Sequence, residues 1–323
     1  MQTCLISVKN KKLQKIKNNF VYRFVVFALW FFNIIPRKMA LFLGSGLGCL
    51  AFMVSKKERA TAHKTLTMVY GDSMDETQRE GLIKRMFINF GLNLADVIRF
   101  KKHYHRQIKN LVDVEGIEHF DNVYKRGKGI IAVTGHIGNF ELLAAYFANA
   151  GYNAAAIGRE MYDPRLDKLL VENRTSLNVV NIPTTESPRR ILKVLKQGYA
   201  LGVLIDTDSM RVRSEFVPAF GKLSRTPIGQ TIIGLKTGAG FLPMACVRDG
   251  KRYKIIIKPE VVPDPSGDFD KDVYNITAAC TKALEEIIDE HRDQWIWIHN
   301  RWLTRPVDEK DENDDKKDNE KDE

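Results

Sequence analysis

The sequence predicts an α/β fold, a central mixed, mainly parallel sheet flanked by helices, preceded by an N-terminal membrane-attached helical region. Three observations predict it. From residue 129 onward, short β-rich runs alternate with helix-length segments. Three of those segments open on a capping oxygen followed by proline, at Asp163-Pro164, Ser187-Pro188 and Thr226-Pro227, which suits a first helical turn. Two apolar stretches, FVVFALWFFNII and MALFLGSGLGCLAFMV, crowd the start of the chain.

Taken in order, residues 1–60 read as a basic N-terminus and membrane anchor. Lys9, Lys11, Lys12, Lys15 and Lys17 come first, and KKER at 56–59 closes the second apolar stretch. Neither stretch alone reaches the roughly 20 apolar residues that span a bilayer. Phe20 to Ile35 comes close only if Arg23 snorkels to the interface. Pro36 and the bulky apolar side chains argue against a cleaved secretory signal. Two attachments are open, one tilted span or a hairpin lying in the interface, and a buried pair of core helices is the rival reading.

Residues 61–110 read as a helical lead-in, with Ser73 and Asp75 as caps ahead of Ile83, Met86, Phe87, Phe90 and Leu94. Residues 111–306 hold the α/β domain. Its strands are expected at GIIAVTG (129), NAAAIG (153), NVVNI (178), ALGVLID (200), GFLPMACV (240) and RYKIIIK (252), with Gly198 and Gly238 as helix stops. Residues 307–323 form a low-complexity acidic tail, expected to be disordered.

That tail carries ten acidic side chains and four lysines, so the overall charge of +10 leaves about +16 on the rest. Such a surplus favours an anionic partner: a membrane surface, an acidic carrier protein or nucleic acid. The nucleic-acid reading rests on charge alone, because no recognition motif supports it. The four cysteines show no CxxC or His-paired spacing, so neither a disulfide framework nor a zinc site is indicated.

The chemistry concentrates in TGHIGNFE, where a strand ends at Gly135 and a helix begins near Asn139. Ligands of α/β sheets gather at the carboxyl ends of strands, which is where His136 falls. On a continuous helix, His136 and Glu141 would diverge by about 140 degrees. They meet only if His136 precedes the helix. Glu141 is then expected to hold one imidazole nitrogen and leave the other to take a proton from a substrate hydroxyl. No serine or cysteine sits in a nucleophile elbow, which argues for direct attack by an external hydroxyl.

Together, GHIGNFE, LIDTDS, FVPAFG and the closing QWIWIHNRWLTRP make Val21 to Pro306 resemble the lysophospholipid acyltransferase superfamily. Within it the chain resembles the bacterial lipid A biosynthesis acyltransferases, the Kdo-dependent lauroyl and myristoyl transferases. The resemblance implies a glycerol-phosphate acyltransferase-like fold with no metal or cofactor. It further implies acyl transfer from acyl carrier protein to a lipid A precursor at the cytoplasmic face of a Gram-negative inner membrane, with His136 as base and Glu141 as its partner.

Other segments fit that chemistry. Arg159 suits an acceptor phosphate or the thioester oxyanion. Arg174 resembles a second basic position of the family, although a helix-end arginine also simply complements a dipole. Asp206 and Asp208 have three readings: a magnesium-type pair, turn formers, or acids orienting His136 or Arg159. The last is preferred. Phe216, Pro218 and Phe220, with Lys222 and Arg225, suit an acyl chain and an anionic head beside a helix start. Trp295 and Trp297 suit a membrane boundary or a core. Asn300 stands where the lauroyl transferases commonly show a basic residue, which weakens the anion-binding reading of Asn300-Arg301. The alternatives to lipid A acylation are a same-fold acyltransferase using acyl-CoA on another glycolipid or a lysophospholipid, and a non-catalytic membrane-binding relative.

Overall fold

The computed structural model describes residues 2–306 apart from Ser209 and Arg211, with backbone alone for 2–13, 15 and 16. The acidic tail and the side chains of Lys9, Lys11, Lys12 and Lys15 lie outside the described residues. Helices α1 (Gln2–Ile34) and α2 (Arg37–Val54) come first, parted at Pro36, whose missing N–H and fixed φ suit the position just before a helix. Next come α3 (Lys56–Tyr70) and α4 (Glu76–His103). Asp75 caps α4 in a reciprocal box with Gln78, as its spacing suggested, whereas Ser73 lies in the preceding 3-10 turn.

The sheet has seven strands: β1 (Val112–Glu115), β2 (Ile130–Thr134), β3 (Ala154–Gly158), β4 (Val180–Pro183), β5 (Ala200–Leu204), and two that follow a separate hairpin. The hairpin is β6 (Ser214–Ala219) with β7 (Lys222–Pro227); β8 (Gly240–Asp249) and β9 (Arg252–Ile257) complete the sheet. Its order is β1-β9-β8-β2-β5-β3-β4. All pairings are parallel except β8 with β9, so the sheet is mixed and mainly parallel.

Every residue of β2 is buried, as both faces of a central parallel strand must be. Successive side chains alternate between two cores. Ile131, Val133, Leu201 and Val203 join the cluster under α8 (Pro188–Lys196) and α10 (Phe269–Glu290), while Ile130, Ala132 and Ala200 join that under α5 (Ile117–Tyr124) and α6 (Phe140–Asn149).

Asp163 and Ser187 cap α7 (Pro164–Thr175) and α8 with proline in the first turn. The third expected start is corrected: Thr226 and Pro227 end strand β7, and α9 (Gly229–Thr237) begins after them without a side-chain cap. Gly238, with φ +71, ends α9 in the left-handed conformation.

α2 is long and apolar enough to cross a membrane by length and composition. One of its sides packs on α4 through Ala40, Leu41, Gly44 and Gly48, and its remaining apolar surface is open. The rival picture of a fully buried helix pair therefore does not hold. Below this contact lies a polar knot. Asp96 of α4, fully buried, accepts both arms of Arg37 from α2 at 2.8 Å, Arg248 from β8 at 3.1 Å and the Tyr253 hydroxyl from β9 at 2.7 Å.

Candidate active site

Strand β2 delivers the backbone to a turn, Gly135 to Asn139, that neighbouring chain pins on two sides. Gly138 (φ +57) donates its N–H to Gln294 O at 2.9 Å, and Asn139 N–H donates to Cys246 O at 2.7 Å. A side chain at 138 would be strained and would strike the Cys246 carbonyl. The Asn139 side chain accepts from Leu142 N–H and so starts α6, while its amide donates to the Tyr253 hydroxyl at 3.2 Å. His136 is thereby held ahead of the helix, at the carboxyl end of β2.

The adjacent strand β5 brings Asp206 to the same rim. Asp206 Oδ2 accepts the His136 backbone N–H at 2.6 Å and the Trp295 indole N–H at 2.7 Å, while Oδ1 lies 2.8 Å from His136 Nδ1. This approach needs Gly135, since a Cβ there would stand 2.6 Å from Asp206 Oδ2. Burial alone would raise the Asp206 carboxyl pKa, but the charge and hydrogen bond of His136, with the indole and backbone donors, hold it well below the usual range. The carboxylate stays ionised and accepts, so Nδ1 carries the proton and Nε2 keeps its lone pair. Burial by itself lowers the His136 pKa, and Asp206 outweighs it, leaving the imidazole above its ordinary 6.5. The side chain is 24% exposed, enough to leave an edge open.

Two rings brace this imidazole. Phe140 lies edge-on with centroids 5.5 Å apart, and His299 lies edge-on at 4.6 Å. Burial and the neighbouring His136 charge push the His299 pKa down against the pull of Asp206, so His299 stays neutral beside the protonatable ring.

Phe140 also walls a narrow, mainly apolar cavity of about 50 Å³ between α6 and the sheet. Its floor is built of rows. Thr134 and Leu204 lie nearest the rim, then Ala132, Gly202 and Ala156 sit side by side on three strands, then Ala200 beside Ala154. Small residues in these rows make the room. From the first row to the last is four residues, about 13 Å at strand rise.

A family model described as bacterial lipid A biosynthesis acyltransferase matches residues 8–304. The chain belongs to that family. This acyltransferase is 29% identical over 283 residues to the lipid A biosynthesis lauroyltransferase of Escherichia coli (strain K12), across 86% of this chain and 90% of that relative. It is 26% identical over 291 residues to the lipid A biosynthesis palmitoleoyltransferase of the same organism, across 87% and 90%. A phosphatidylinositol mannoside acyltransferase of Mycobacterium tuberculosis (strain CDC 1551 / Oshkosh) is 23% identical over 221 residues, across 67% and 68%. The protein is accordingly an O-acyltransferase.

In the acyltransferase, the expected contact between Glu141 and His136 is not formed. Glu141 sits in the first turn of α6 and its carboxylate accepts both arms of Arg174, at 2.9 and 2.5 Å. Arg174 also donates to Asn181 on β4 at 2.7 Å. This clamp ties α6 to α7 and β4 at the cavity wall, so Arg174 is spent on Glu141 rather than left for an anion.

Asp208 diverges from Asp206: it accepts Thr304 N–H at 2.6 Å and lies 3.9 Å from Arg225. The two carboxylates therefore serve separate partners. Arg159 stands exposed just beyond β3, on the rim that carries His136.

The aromatic segment is divided. Phe220 is half-buried against Trp295, Trp297 and Trp302, behind the Asp206 side of the site, and shares no cavity with Phe216 and Pro218 on β6 among the described residues. Trp295 and Trp297 are core residues, and Trp295 additionally serves Asp206. Arg301 is buried, its pKa lowered by burial to about 10, and donates to Arg225 O and the Thr226 hydroxyl. His299 and Phe140 were missed by sequence reasoning. The only signal for them was their place inside the two motifs that carry the resemblance.

Proposed function

We propose that this acyltransferase passes a fatty acyl group from acyl carrier protein to a hydroxyl of a lipid A precursor, a secondary acylation of lipopolysaccharide biosynthesis, at the cytoplasmic face of the inner membrane. The observation that carries the reading is the His136–Asp206 pair at the sheet rim beside an apolar cavity.

His136 Nε2 takes the proton of the acceptor hydroxyl as its oxygen attacks the thioester carbonyl. The imidazolium so formed is stabilised by the Asp206 carboxylate and returns its proton to the departing thiolate. Phe140 touches the imidazole and also walls the cavity, so an acyl chain lying along the alanine and glycine rows would bring its carbonyl to the rim near His136. Arg159, exposed on the rim, suits a phosphate of the acceptor. The positive surplus outside the tail suits an acidic carrier and a phosphorylated glycolipid.

The test is mass spectrometry of lipid A from strains with and without the gene, paired with turnover by purified protein on carrier-bound and CoA-bound donors. One missing secondary acyl chain and a preference for the carrier-bound donor are expected. An unchanged lipid A profile with another acylated glycolipid missing would favour the second reading, suggested by the mannoside-acylating relative.

Chain length offers a further check. Gly202→Leu places a side chain in the middle row and is expected to depress use of the longest donors at least about tenfold while sparing short ones. Uniform loss across all donors would detach the cavity from the acyl chain.

A further inference from the structure

Helix α2 cannot move independently of the globular body. It runs antiparallel to α4 with backbone against backbone: a Cβ at Gly44 would stand 2.6 Å from Gly91 O, and one at Gly48 would strike Phe87 O. At one end Arg37 is locked on Asp96, and at the other Phe52 packs edge-on against Phe87, with Arg59 over the Phe52 ring. α4 in turn belongs to the core through Met86 and Phe87, and is tied to β8 and β9 through Asp96.

An 18-residue helix crossing a bilayer would span about 27 Å and carry its packed partner to the same depth. Lys84 and Arg85, exposed on α4, and the end of the β8–β9 hairpin tied to Asp96 would then enter hydrocarbon. Charged groups at that depth are strongly disfavoured.

The free side of the same helices fits a different placement. Phe24, Phe27 and Trp30 of α1 and Phe42, Leu50 and Met53 of α2 are each more than half exposed. A monomer rarely leaves so many large apolar side chains together in water. Exposed Arg23, Lys38, Lys56 and Lys57 flank this surface and form no ion pair among the described residues. A row of rings bordered by cations matches the boundary of an anionic leaflet.

We propose that α1 and α2, joined by the bend at Pro36, lie flat in one leaflet of an anionic membrane, with α2 entering and leaving on the same side. α1 also fixes the orientation of the site. Asn18 accepts the Tyr162 hydroxyl, and Asn19 accepts Arg165 at 2.7 Å, at the start of α7 on the rim that carries His136. With both helices in the leaflet, that rim faces headgroups, where a lipid acceptor lies; this last step alone rests on the proposed activity.

The experiment uses the full chain in sealed, inside-out bacterial inner-membrane vesicles, with Cys4 and Cys49 replaced by serine. Lys38→Cys and Lys57→Cys are introduced separately and treated with a membrane-impermeant maleimide. Both ends are expected to react from the same side. Reaction of one end from outside and the other only after permeabilisation would overturn the proposal.

A second arm uses Phe42→Asp with Leu50→Asp, both on the free side and remote from the catalytic groups. Binding to vesicles of phosphatidylglycerol and phosphatidylethanolamine is expected to weaken at least about tenfold, with turnover on a detergent-dispersed acceptor retained. Undiminished vesicle binding would also overturn it. Absence of turnover in the parent protein would count against the acyltransfer reading and leave the labelling result standing.

Discussion

Asp206→Asn is expected to cut turnover by about 10²–10⁴-fold, close to the loss from removing the base itself with His136→Ala. The asparagine side chain occupies the same space, but it no longer supports an imidazolium or fixes the proton on Nδ1. The pH profile separates this from simple damage. A base works while neutral, so the rate of the parent protein falls as pH drops through the His136 pKa, which Asp206 raises above 6.5. Without the carboxylate that limb moves to lower pH, even though the plateau is lower. Glu141→Gln is the control: its carboxylate is engaged with Arg174, so the limb is expected to stay where it is. Rate–pH curves for the three proteins decide the matter. A limb that moves with Glu141 and not with Asp206 would reverse the assignment of the orienting acid.

The second large effect lies far from the chemistry. Asp96→Ala leaves the buried Arg248 and the partly buried Arg37 without this counter-charge, and deprives Tyr253 of its acceptor. Removing one partner of a buried ion pair costs about 3–5 kcal/mol. Chemical denaturation in mild detergent is expected to show a loss of that size. Asp96→Asn, which keeps a hydrogen-bond acceptor without the charge, is expected to lose less. Equal, small losses in both would mean that solvent already reaches this knot. The effect should also reach activity, because Tyr253 holds the amide of Asn139, three residues from the base.

Much of this arrangement was legible in the residues. Six of the seven sheet strands announced themselves as apolar runs, and two of the three Asp-, Ser- and Thr-Pro pairs marked true helix starts. Thr226-Pro227 misled because capping chemistry and strand chemistry use the same residues; what decides is the neighbouring strand, which local sequence does not display. The β6–β7 turn was hidden for a related reason. Phe220 and Gly221 both have positive φ, the geometry usually signalled by Asn-Gly, and Phe220 is kept there by its ring contacts and by Glu285 accepting its N–H. Strand β1 is four residues at the sheet edge, half polar, and left no apolar run to read.

The active site divides along the same line. His136 at the end of β2 follows from the strand-to-helix pattern, since that is local. Its acid does not. Glu141 is near in the chain, but the carboxylate that reaches the imidazole comes from β5, which lies beside β2 only because of the crossover order of the sheet. His299 and Trp295 arrive from later still, through a segment whose path over the rim is set by tertiary packing.

That late arrival has a consequence for biosynthesis. Translation releases β2 and β5 long before residues 294–299 appear, and until then Gly138 lacks the Gln294 carbonyl, His136 O lacks the Ile296 N–H and Asp206 lacks its indole donor. A chain made only that far holds His136 and Asp206 without the groups that set them. The geometry around His136 and Asp206 is therefore complete only once residues 294–296 have been made and folded onto the rim.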